Sequence, residues 1–235
     1  MEQNKTGKYL KYAIGEIVLV VIGILIALSI NNWNEDQKVN KKEVLVLHEI
    51  LNSINKDLDS YDKLFTPRLT KKENSLDSLI TYIFDNKPIE DSLFIDFYTD
   101  IGQDIFLRFD NGPFEALKSS GLEIIRNDSL RTAINNAYTT ELPIYTYFGN
   151  ERVEVFQLEI SKMEKKFLNL KRVYHDDGRK HLHFDLKVDD ILNNQDFLWI
   201  LNLERRKNSE FKKRIRQTKN TLNRIKEMIG KELEK

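Results

Sequence analysis

Three of the four histidines fall in one short stretch, HDDGRKHLHFD, which brings His175, His181, His183 and Asp185 close together along the chain. Neutral imidazole and carboxylate are donor types that zinc takes from proteins. On an extended strand His181, His183 and Asp185 alternate onto one face, where their donor atoms could converge. His-x-His-x-Asp also occurs in metallohydrolases, but here no further histidine follows and no glycine-rich α/β pattern adjoins it. A polar turn between two long helices accounts for the cluster without metal, so the expectation is no metal and no cofactor, with these four residues as the only candidate ligands. The absence of cysteine excludes disulfides, thiol nucleophiles and thiolate metal sites. No P-loop, Gly-x-Ser-x-Gly or His-Glu-x-x-His is present either. The chain is therefore expected not to be an enzyme, and a metal-dependent hydrolase is the distant alternative.

A second chemically interesting residue is Glu16, the single charge in AIGEIVLVVIGILIALSI, residues 13–30. As a helix these 18 residues cover about 27 Å, close to the hydrocarbon thickness of a bilayer. Tyr12 at one end and Trp33 at the other suit the two membrane interfaces. A cleaved signal peptide is the competing reading, with Lys5, Lys8 and Lys11 as its basic region and Ala27-Leu28-Ser29 as its cleavage site. The charge at Glu16 and the unbroken helical pattern beyond Trp33 favour an anchor. Gly15, Leu19, Gly23 and Ala27 recur every four residues, and Gly23-x-x-x-Ala27 lets a second helix approach closely. Glu16 lies about one turn from the membrane edge, where it either snorkels or serves as a relay or ion-pair partner.

The stretch KYAIGEIVLVVIGILIALSINNWNE resembles the N-terminal signature of a bacterial membrane-anchored family, the domain-of-unknown-function family numbered 6090. FEALKSSGLEIIRNDSLRTAINNAY, from Phe114 to Tyr138, is similar to a second motif of that family. The resemblance implies a bacterial single-pass protein with a helical exterior domain. It carries no established activity and so no catalytic residue.

Three apolar series recur at spacings of 3 and 4: Val44 to Phe65, Val153 to Tyr174, and Asn208 to Ile229. Such spacing gives each helix one packing seam. Thr66-Pro67 is expected to end the first helix, Thr70-x-x-Glu73 to open a shorter one, and Pro143 to stop another that begins near Asp128. Gly102 to Gly112 reads as irregular, with IFLRF as a short extended piece. Pro113 and Gly121 bracket a two-turn helix, and the last helix spans about Asp196 to Glu234. The expected fold is all-α: a basic tail at 1–12, a transmembrane helix at 13–33, and an exterior domain at 34–235 built as an elongated antiparallel bundle. The seams need one another or a second protomer.

With 235 residues, 40% hydrophobic, and 37 basic against 37 acidic side chains, the chain has no net charge to attract nucleic acid. Residues 196–235 are nonetheless basic, twelve against six, and lack the interleaved aromatics of a single-strand binder. The sequence thus points to a membrane-anchored interaction or scaffold module. Its expected partners are the lipid bilayer and either further copies of itself or another membrane protein. A sensory or regulatory subunit is the alternative. The short basic N-terminus is expected on the cytoplasmic side with the C-terminal domain outside. With the bacterial origin that the resemblance implies, the expected location is the inner membrane, with the C-terminal domain in the periplasm.

Overall fold

The computed structural model describes the backbone of residues 5–235 and the side chains of residues 14–235 apart from Arg152. Tyr12 and the basic tail at 1–12 therefore lie outside the described side chains. Helix α1 (Lys5–Ser60) passes through a π-helical turn (Tyr61–Phe65) directly into α2 (Thr66–Phe84). Next come α3 (Asp91–Ile101), α4 (Gly112–Ser120), α5 (Asp128–Asn136), a second π-helical turn (Ala137–Glu141) and α6 (Leu142–Phe167). A hairpin of β1 (Leu168–Tyr174) and β2 (Lys180–Leu186) then leads to α7 (Gln195–Leu233). The all-α expectation holds, with the hairpin as the only sheet among the described residues.

Ile14 to Phe84 is one helix of 71 residues, about 107 Å long. Its apolar N-terminal part is long and apolar enough to cross a membrane, and none of that part is buried inside the chain. From Asn31 to Lys42 every residue is still exposed, and packing begins at Glu43 and Leu47. Antiparallel to it runs α7, capped at its start by Asn194, whose side chain accepts a hydrogen bond from the Phe197 amide at 3.1 Å.

Neither proline ends its helix, contrary to the sequence expectation. Proline has no N–H to donate, and its ring clashes with the carbonyl four residues back. In both places a π-helical turn ends just before the X-Pro pair. The Thr66 amide bonds to Tyr61 O and the Leu142 amide to Ala137 O, each five residues back. The widened turn makes room for the ring while the helix continues. Thr70 accordingly caps nothing; its hydroxyl donates to Thr66 O within the helix at 3.0 Å.

The seams find each other within the chain. Leu47, Ile54, Tyr61 and Phe65 on the first helix, and all of Asn208, Phe211, Ile215, Thr218, Leu222, Ile225 and Ile229 on α7, are buried. The second seam stops at Phe167, because Leu170 and Tyr174 belong to β1 and point into solvent. The histidine stretch is consequently part of a hairpin and not a turn between helices. Two apolar cores result. One gathers α1, the π-helical turns, α4, α5 and the C-terminal half of α7. The other gathers α2, α3, the end of α6 and the N-terminal half of α7.

Candidate functional site

Between the two cores lies a layer of buried charge. Lys72 on α2 and Lys207 on α7 are each 1% exposed. Asp104, at the start of the irregular segment 103–111, accepts from Lys72 Nζ at 2.9 Å and, through its other oxygen, from Lys207 Nζ at 2.7 Å. Glu204 closes the ring, accepting from Lys207 at 2.9 Å through Oε1 and facing Lys72 through Oε2. Two cations and two carboxylates thus neutralise one another, as burial of charge requires. Around the ring, Asp100 accepts from Lys71 at 2.7 Å and from Ser75 at 3.1 Å, and Asn208 donates to Leu69 O at 3.1 Å. Tyr98 donates to Glu164 at 2.6 Å; burial, followed by that carboxylate, pushes the phenol far above its ordinary range.

The segment 103–111 is a strap held from two sides. Asn150 on α6 binds Leu107 twice, accepting from its amide and donating to its carbonyl, both at 2.9 Å. Close approach there depends on Gly149, since a Cβ at that position would stand 2.5 Å from Leu107 Cδ1. From the first π-helical turn Tyr61 donates to Arg108 O at 2.6 Å, and from α1 Asp57 accepts from the Asp110 amide at 2.9 Å. Burial raises the Asp57 carboxyl to about 6, and the Asp110 charge adds to the rise. Along the strap Ile105 and Leu107 point inward while Phe106 is 71% exposed.

Strap and α6 enclose an open groove of about 980 Å³, lined by Phe106, Leu107, Tyr147, Val153 and Leu158 with Glu151 and Glu154 beside them. Gln157 joins groove to ring: it lines the former, and its Oε1 lies 3.5 Å from Lys207 Nζ. The groove continues an outward apolar stripe on α6, where Ile144, Tyr147, Phe148, Val155 and Leu158 are all substantially exposed. This arrangement offers apolar contact area and closed ion pairs.

The residues singled out in the sequence lie elsewhere. Gly15, Glu16, Leu19, Gly23 and Ala27 occupy the exposed apolar part of α1, and a Cβ on Gly15 or Gly23 would meet nothing within 4 Å. Trp33 is 64% exposed on the same helix. His175, His181, His183 and Asp185 are exposed on the hairpin, and among the described residues no three histidine or acidic side chains are grouped to hold a metal. The basic face of α7 is largely engaged within the chain, with Lys212 on Glu73, Lys219 on Asp62 and Arg224 on Glu141. Burial opposes ionisation of Glu141, but hydrogen bonds from Thr221, Arg224 and Asn136 outweigh it and hold the carboxyl below its usual range.

A long helix that leaves an unburied apolar stretch at one end of an all-helical bundle defines a class of chain with one candidate membrane span. Residues 16–209 match the Family of unknown function (DUF6090), and the chain belongs to that family. The match begins inside the apolar stretch and extends into α7, taking in the strap, α6 and the hairpin. No curated protein and no solved structure shows a significant match.

Proposed function

We infer that the chain is a single-pass, membrane-anchored interaction protein without catalytic activity, held at a bacterial inner membrane with its N-terminus in the cytoplasm and its bundle in the periplasm. One observation carries this reading: the helix from Ile14 to Ile30 is wholly outside both cores, so its apolar surface needs lipid or another helix. Self-association then falls to the stripe of Gly15, Leu19, Gly23 and Ala27, because the bundle seams are already filled by one another. A second copy in the same bilayer presents that stripe in the same orientation and at the same depth.

The test is retention of the full chain in membranes through high-salt and alkaline washing, which an inserted span survives and an adsorbed one does not. Release into the wash overturns the anchor. Because the sequence has no cysteine, single reporter cysteines in the tail and in the hairpin can be labelled from either side of the membrane. Labelling of the hairpin from the cytoplasmic side would reverse the orientation. The uninterrupted helix from the span through both cores supports a second reading, a regulatory subunit that carries exterior events to a membrane partner. In that case Glu16→Gln abolishes activity of the associated complex while leaving self-association intact.

A further inference from the structure

We propose that His175 and His181 form a two-imidazole chelate across the turn of the hairpin for a tetragonal divalent metal, copper(II) foremost. The turn itself builds the pair. The His175 amide donates to Arg179 O and the Gly178 amide donates to His175 O, both at 2.9 Å. Gly178 supplies the positive φ of 85° that this reversal needs. Strand register sets Val173 opposite His181 and Tyr174 opposite Lys180, so His175 and His181 emerge on the same side of the sheet. Their rings lie 4.8 Å apart, with His175 Nε2 and His181 Nδ1 separated by 2.8 Å.

Two nitrogens at that separation share one proton in a hydrogen bond, or one metal ion in its place. Imidazole nitrogen binds first-row metals at about 2.0 Å, so cis donors at right angles stand about 2.8 Å apart and tetrahedral donors about 3.3 Å apart. The observed separation equals that of cis donors on tetragonal copper(II) or nickel(II), and a turn of both imidazoles about their side-chain bonds would aim their lone pairs at one ion. Copper heads the affinity order of the divalent series. His183 stands one step further along β2, opposite Lys171, with its ring 6.2 Å from that of His181. The rest of the coordination sphere is therefore left to solvent. Arg179 beside the pair has its guanidinium held by Asp177 at 2.6 Å, which reduces its repulsion of a cation. All three imidazoles are exposed, so the metal needs no opening of the fold. A metal here ties the end of β1 to the start of β2 in a hairpin whose outer face, Leu170, Tyr174, Leu182 and Phe184, gains little from burial.

The experiment is calorimetric titration of the full chain in detergent micelles with copper(II) sulfate and with zinc sulfate, together with electron paramagnetic resonance of the one-equivalent copper complex. Because all three positions are exposed, His→Gln variants leave the cores intact, which circular dichroism verifies. The expected result is one copper site with two nitrogen couplings, and zinc bound roughly tenfold or more weakly. His175→Gln and His181→Gln each weaken copper by roughly tenfold or more and remove one coupling, while His183→Gln changes affinity by no more than about twofold. Copper retained at wild-type affinity by both single variants overturns the proposal. So does an equal loss in His183→Gln, which would place the site on the strand pair His181 and His183.

Discussion

Asp57 carries a measurable penalty. Its carboxyl titrates near 6 in the fold and near 3.8 without it, so the folded state holds a proton that the unfolded chain releases between those values. Stability is therefore highest below about pH 4 as far as this group is concerned, and falls as pH rises through 6. Asp57→Asn keeps an oxygen to accept from the Asp110 amide and removes the charge. It should stabilise the protein at pH 7 by about 1 kcal/mol, solvent screening of a half-buried group included, and the gain should vanish at pH 4. Urea unfolding at the two pH values checks both the size and the sign. The ion ring gives the opposite case: Lys207→Met leaves Glu204 and Asp104 with one cation between them and should cost about 3–5 kcal/mol. Gly149→Ala should cost about 1–3 kcal/mol through Leu107, and the double variant with Leu107→Ala should lose less than the sum of the two single losses, because the second change removes the atom that clashes. The ring had a signal in the sequence. Lys72 stands between Leu69 and Leu76 at core spacing, and Glu204 fills the seam position between Leu201 and Asn208. Opposite charges at core positions of two helices suggest a pair, but Asp104, from a segment without periodicity, could not be added to it from sequence alone.

Elements were legible where their signals were local. Pro113 and Gly121 do bracket α4, with Gly121 at φ 101°, and the third seam anticipated α7 to within a residue at each end. Pro67 and Pro143 misled because a proline rule presumes an ordinary α-helical turn before it, and the π-helical turns remove that premise. Pro67→Ala should accordingly leave helical content by circular dichroism unchanged and alter stability by less than about 1 kcal/mol, well short of the ~3 kcal/mol typical of proline in a regular helix interior. The end of α6 misled for another reason. Leu168, Leu170, Arg172 and Tyr174 alternate as a strand does, yet Leu170 and Tyr174 also continue the spacing of the preceding helix. Tertiary pairing with β2 decided between two periodicities that the same residues satisfy. Within the apolar helix, Gly23→Leu should disrupt self-association in cross-linking assays more than Glu16→Gln does, because it fills the surface that close approach requires.

The described molecule is two apolar cores stacked along one helix with a largely buried charge layer between them. A chain beginning at Asn34 keeps both cores and should be soluble and predominantly helical; a strand-dominated circular dichroism spectrum would contradict the fold. The continuous helix has a mechanical consequence as well. From Trp33 to Phe84 it runs about 77 Å, interrupted only by the π-helical turn at Tyr61–Phe65, and α7 packs against the helix on both sides of that turn. Were its apolar foot set in a bilayer, the helix would be a lever arm: a span adjusts its tilt when lipid thickness changes, and a ten-degree swing at the foot would carry the far end through about 13 Å. A small change in the lipid would thereby be converted into a lateral displacement, at the hairpin end, larger than the width of a helix.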